Sequence, residues 1–384
     1  MIGRPMKIVL APDKFKGCLS AIQVAEAMAI GAKRARPDVV IDHCPVADGG
    51  EGFVETLVRA TGGRFETHRV TGPLPEMKVN ATFGVIGAEG TTPKTAVIEM
   101  SSAAGLALLK PTERDPMATT TFGVGELLRA AVELGCRRVL LGIGGSATVD
   151  GGIGCAQATG HTIVLQGGEP ISATEPLTGR DLERVVLIKQ HRCEITDGVE
   201  IIVACDVTNP LYGPTGAAHV FGPQKGATPA QVEKLDAWLR ELAIRTDRDA
   251  QANTPGAGAA GGLGFGLLAF FNAKLESGIE LVLSATKLHD RLRGADLCIT
   301  GEGRLDSQSV DGKAVGGVAG LCGKLNVPCF AIAGAVESSV DFVSLGLKGA
   351  VGIRTPGMSL EDAMKNASTL IATATEVVVK GNHV

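Results

Sequence analysis

Aromatic residues are scarce in this chain. They make up 3% of 384 residues, with one tryptophan, Trp238, and one tyrosine, Tyr212. Packing must therefore rest on Val, Ile, Leu and Ala, and no platform for stacking bases is on offer. Charge of one sign is lacking too: 37 basic against 41 acidic groups leave a net −4. A global field that draws in nucleic acid is excluded, so an anionic ligand must be held by a few local cations. No apolar run approaches the ~18 residues of a membrane span. The first residues, MIGRPMKIVLAP, are too short an apolar stretch for a signal peptide. The nine cysteines form no CxxC and no Cys/His cluster of zinc spacing. Most lie in apolar runs, which reads as reduced core cysteines of a cytoplasmic protein. GxxxxGK[ST] is absent, so this is not a P-loop enzyme.

Glycine is what the chain has in plenty: 52 residues, clustered where predicted strands turn into helices. At such turns backbone must approach something closely. The length favours two domains over one. Lys7–Ala11 and Val39–Cys44 read as strands, with helices after Ser20 and from about Gly52 to Thr61. Ser20 with Gln23 three residues on reads as a capping box. From Arg64 to Met100 the pattern changes to strands joined by Gly/Pro turns. Helices are expected over Thr119–Leu134 and Gly152–Thr159, strands over Arg138–Ile143 and Val199–Cys205, and a long helix from Thr228-Pro229 to about Asp249. The tail is βαβαβα: strands at 297–300, Pro328–Ala333 and Ala350–Ile353, with helices near 313–324, 338–345 and 360–379.

The two ends of the chain together supply five strands and five helices, the inventory of a doubly wound, flavodoxin-like parallel sheet. The expectation is a discontinuous domain, 1–63 with 286–384, interrupted by an inserted mixed α/β domain, 64–285. With strand order 2-1-3-4-5 the topological switch lies between the first strand and strand 297–300. Ligands bind beyond strand ends at such a point. The loop Pro12–Ser20 is therefore expected to face Gly301–Asp306.

Several residue groups are candidates, each with a plainer reading beside it. Lys14 and Lys16 precede a helix N-terminus, where an anion is welcome and a cation is not; they can also be solvated surface lysines. Asp48 and Glu51 flank two glycines and suit proton abstraction or a metal-bound water, or only capping. In GIGGSATVDGG, residues 142–152, Gly144, Gly145, Ser146 and Thr148 offer donors to phosphate oxygens. The partial nicotinamide fingerprints there and at Gly256–Gly261 lack their context. Asp206 ends an apolar strand, as Mg²⁺-holding aspartates do; turn capping is the alternative. Lys225 on a Gly/Pro loop suits a nucleotide phosphate or a bare surface turn. Arg304, beside Glu302 and Asp306, suits bidentate binding of a carboxylate or pairing with its neighbours. Lys313 opens a helix as Lys16 does.

Seven stretches in order, APDKFKGCLSA, PVADGGEG, GIGGSATVDGG, ACDVTNPL, FGPQKGA, GAGAAGG and TGEGRLDSQSVDGKA, resemble the bacterial glycerate kinase family. The resemblance runs over nearly the whole chain from about Met6. It implies ATP-dependent phosphorylation of D-glycerate, to 2-phosphoglycerate, in a cleft between two α/β domains, with ATP and Mg²⁺ as cofactors. The family's motifs fall on Asp13, Lys16 and Ser20, on Asp48 to Glu51, and on Gly144, Gly145, Ser146, Thr148 and Asp150. They continue on Asp206, Asn209, Lys225, Glu302, Arg304, Asp306, Gln308 and Lys313. In this reading Lys16, Arg304 and Lys313 neutralise carboxylate or phosphate. Asp206 with Asp150 holds Mg²⁺, and Asp48 or Glu51 takes the hydroxyl proton. Lys14 and Val149 depart from the family pattern. The alternatives are a kinase for a related small hydroxy acid, a nicotinamide- or flavin-dependent oxidoreductase, and a non-catalytic ligand sensor.

Overall fold

The structure is a computed structural model. It describes residues 4–87, 93–168, 171, 175–189, 197–306, 314–337 and 341–381. In chain order the strands are β1 (Lys7–Pro12), β2 (Val40–His43), β3 (Arg64–Thr71), β4 (Lys78–Ile86), β5 (Thr95–Glu99), β6 (Arg138–Gly142) and β7 (Thr162–Leu165). There follow β8 (Val185–Lys189), β9 (Glu200–Ala204), β10 (Lys274–Glu276), β11 (Leu297–Leu305), β12 (Cys329–Val336) and β13 (Gly349–Gly352). The chain divides into two compact units. One comprises Met1–Asp48, Glu55–Thr61 and Ser277–Val384; the other comprises Gly49–Val54 and Gly62–Glu276.

The first unit is built on a five-stranded sheet, β13-β12-β11-β1-β2. All its neighbouring pairs are parallel. Ile8, Val9 and Leu10 of β1 and Leu297, Cys298 and Ile299 of β11 are all buried, because helices leave a parallel sheet no wet face. Helix Ala21–Ala35 starts on the Ser20 cap, with the Ser20–Gln23 capping box formed. It packs on helix Ala367–Gly381. Gly31 lets these two helices touch: a Cβ there would stand 2.0 Å from the Ala372 carbonyl oxygen.

The second unit carries a six-stranded mixed sheet, β10-β9-β6-β5-β4-β3, and a separate β7–β8 hairpin. Four strands run parallel; β4 and β3 turn back antiparallel at one edge. The Thr228 cap with Gln231 opens helix Pro229–Arg245.

Several expectations need correcting. Strand β11 does not stop at Thr300. It runs on through Gly301–Leu305, because β12 extends to Val336 and pairs with it as far as Leu305. The close approach needs glycine: a Cβ on Gly334 would lie 2.4 Å from the Gly303 carbonyl oxygen. The described part of 338–345 is turn rather than helix, and the last helix is broken at Asn366 into Leu360–Lys365 and Ala367–Gly381. Strands β7, β8 and β10 carried too little alternation to be read. The two compact units meet at Asp48 and Glu276, with 55–61 in the first.

Candidate functional site

In the first unit, chemistry gathers where β1 and β11 end. Asp13 follows β1 and continues the pairing: its amide donates to the Gly301 carbonyl (2.8 Å). The residue is 6% exposed, and Oδ1 accepts from the Lys14 amide (2.6 Å). Burial pushes the Asp13 carboxyl up to about 7. The Lys14 ammonium opposes this, and the nearby Asp48 and Glu302 carboxylates add to it. Lys14 Nζ stands 3.6 Å from both Asp13 Oδ1 and Asp48 Oδ1, holding the two acids on one cation.

The chain then makes a tight loop. The Phe15 amide donates to the Leu19 carbonyl (2.9 Å), and Gly17 takes the left-handed turn at φ +71°. Gly303 of β11 lies under it; a Cβ there would reach within 3.4 Å of the Lys16 nitrogen. Lys16 and Arg304 consequently line one cavity of about 510 Å³. The rest of its wall is largely apolar, from Phe15, Ile353, Leu360 and Met364. Arg304 is exposed, and its guanidinium grips Glu337 at the end of β12 through two nitrogens, Nε at 3.1 Å. That carboxylate, beside it, raises the arginine further above its usual range.

In the second unit the turn after β6 lies on the backbone of 49–50. A Cβ at Gly142 would stand 2.3 Å from the Gly49 oxygen, and one at Gly144 would stand 3.1 Å from the Gly50 Cα. Glycine at these positions sets Gly144 and Gly145, both exposed, against the segment that carries Glu51. Ser146 and Thr148 turn inward and are buried. Beneath them is Lys225, 2% exposed, whose Nζ donates to Ser146 Oγ (2.6 Å) and the Thr148 carbonyl (2.8 Å). Burial pulls its ammonium down to about 7, against the pull of Asp150. Asp150 is fully buried. Oδ2 accepts from the Thr121 amide (2.8 Å) and hydroxyl (2.7 Å), and Oδ1 from the Gly152 amide (3.1 Å). Burial raises its carboxyl and these donors lower it. The glycines near 260 support the loop from behind: Ala260, Gly261 and Gly262 all have positive φ. A Cβ at Gly261 would fall 1.8 Å from the Thr148 oxygen.

The structure thus brings Asp13, Lys14, Asp48 and Glu302 into one charged group, and Lys16 with Arg304 into one cavity. Ser20 is a helix cap. Asp206 is exposed just beyond β9, where Asn209 ties its turn by donating to the Thr215 carbonyl (2.8 Å). Asp306 ends the described part of the motif; Gln308 and Lys313 lie outside the described residues. Sequence reasoning missed Glu337 and the apolar wall from Ile353 to Met364. Only the expected strand order, which sets β12 and β13 beside β11, pointed there. Among the described residues no helix is long and apolar enough to cross a membrane.

A profile of the glycerate kinase family matches residues 8–381. The chain is 44% identical to a glycerate kinase of Haemophilus influenzae over 378 residues, covering 97% of this chain and 98% of that one. It is also 44% identical to the glycerate 2-kinase of Escherichia coli K12, covering 94% of each. A crystal structure assigned to glycerate kinase 2 of Salmonella typhimurium LT2 superposes with a TM-score of 0.86 at 43% identity, covering 98% of both chains.

Proposed function

The chain belongs to the glycerate kinase family and is a glycerate kinase, and from that premise we propose how its residues divide the work of moving the ATP γ-phosphoryl group to the 2-hydroxyl of D-glycerate. One observation carries the reading: Lys16 and Arg304, from opposite ends of the chain, line a single cavity. The cavity is lined by the C-terminal ends of β11 and β12 and by the loop after β1, and ligands of doubly wound sheets bind toward the carboxyl ends of strands. About 510 Å³ of largely apolar space is far more than glycerate fills and suits a nucleoside. The cavity receives the adenosine part of ATP, with Lys16 and Arg304 meeting its phosphates. Arg304 exchanges Glu337 for phosphate oxygens, which its planar fork accepts in pairs.

Phosphoryl transfer asks the protein mainly for positioning and neutralised charge. Asp13 takes the proton from the attacking hydroxyl. A carboxyl held near 7 is half ionised at working pH and a far better base than an ordinary aspartate. It replaces Asp48 and Glu51 in that part; Asp48 tunes it. Gly144 and Gly145 present backbone donors to phosphate, while Lys225 holds Ser146 and Thr148 from inside.

Mg²⁺ is a hard ion that takes one or two carboxylates together with substrate phosphates. Asp206, exposed at a strand end, fits that need. Asp150 does not, since both its oxygens accept from protein donors in a dry site. When bound, the ion neutralises phosphate charge. Purified protein with ATP, Mg²⁺ and D-glycerate is expected to release ADP and give a 2-phosphate ester by phosphorus NMR; a 3-phosphate ester refutes the position, and an unchanged Mg²⁺ requirement in Asp206→Asn refutes the metal assignment.

A further inference from the structure

Away from the charged end of β11, three thiols meet. Cys298 on β11 and Cys329 on β12 are register partners. Neighbouring in-register side chains leave a sheet on the same face. Cys322 comes down on them from helix Ala314–Lys324, which covers those strands. The helix end is fixed there, because the Cys322 carbonyl accepts from the amides of Leu325 (3.1 Å) and Val327 (2.9 Å). All three cysteines are essentially without exposure, and their sulfurs lie within 4.8 Å of one another. Among the described residues no other three metal-ligating side chains converge in this way.

We propose that Cys298, Cys322 and Cys329 form a three-sulfur site for a single thiophilic ion, and that trivalent arsenic is the occupant it takes best. Three sulfurs about 2.3 Å from a common centre are at most about 4 Å apart. The observed spread is within an ångström of that, so rotamer adjustment closes it. The set offers sulfur alone, which selects soft ions against Mg²⁺. Charge then decides among soft ions. The ionisable groups that act most on these thiols are one another. An uncompensated buried charge is costly. Zinc on three thiolates leaves a net negative charge, and copper(I) leaves more. Trivalent arsenic leaves none. The exchange is balanced without an oxidant: As(OH)₃ loses three As–O bonds and gains three As–S bonds, and each thiol proton departs with a hydroxide as water.

The test uses the reduced full-length protein and arsenite. Native mass spectrometry is expected to show one arsenic gained per chain with three protons lost. This uptake disappears in Cys322→Ser and Cys322→Ala and persists in Cys205→Ser. Arsenite raises the Tm of the parent protein, as a ligand of the folded state must. X-ray absorption on the parent protein, which needs no variant to fold, is expected to find three sulfurs around arsenic. Equal uptake by the Cys322 variants, a lowered Tm, a shell of two sulfurs and an oxygen, or displacement by equimolar zinc each overturns the proposal.

Discussion

The Asp13 carboxyl is held between burial, which keeps it protonated, and Lys14, which favours its charge. Asp13→Asn is expected to lower kcat roughly 10²–10⁴-fold and to abolish the acid limb of the pH–rate profile near 7. A variant that keeps that limb acquits Asp13 as base. Stability gives a second readout. A carboxyl raised from 3.8 to about 7 binds more protons in the folded state between those values. Its stabilising contribution is full below pH 4 and lost as pH rises through 7. The Asn variant should therefore melt above the parent at pH 8, and that advantage should shrink toward pH 4. Arg304→Ala should cut kcat/KM by roughly 10²-fold; an unchanged value removes the guanidinium from the site. Arg304 stood out in the sequence because it sits between Glu302 and Asp306 on a glycine-rich strand end, whereas Asp13 entered only through the family resemblance. The setting of Lys225 was not legible: a lysine in GPQKG reads the same exposed or buried, and its burial under Ser146 and Thr148 is decided by chain 77–79 residues away. The surroundings of Asp150 were hidden for a like reason, since its donors sit on Thr121.

At the scale of elements, β11 is longer than its apolar run. Periodicity marks 297–300, because only that part is wrapped by side chains; Gly301 to Leu305 is held by β12, which no local pattern can report. Glycine makes this extension possible. Gly334→Ala puts a methyl where the Gly303 carbonyl stands. It should cost about 1–3 kcal/mol of stability and, by parting two walls of the cavity, raise KM for ATP more than KM for glycerate. Equal rises in both would place the nucleotide elsewhere. The capping boxes at Ser20 and Thr228, by contrast, were readable to the residue, since their chemistry lies within four positions.

At the scale of the molecule, two sheets sort the chain differently from its linear order. The six-stranded sheet closes within 64–276, whereas β1, beside β2, finds its other neighbour, β11, only beyond residue 296. That discontinuity was legible because two strands cannot make a stable layer by themselves. A chain ended at Glu276 should keep a protease-resistant core of 62–276 and lose residues 4–48 to cleavage; equal protection of both would contradict the division into units. The Thr300 hydroxyl that donates to the Ala11 carbonyl bridges 289 positions. A ribosome adding about 5–20 residues per second therefore releases the first strand tens of seconds before its partner exists. Through that interval the β11-facing edge of nascent KIVLAP is what a chaperone has to shield.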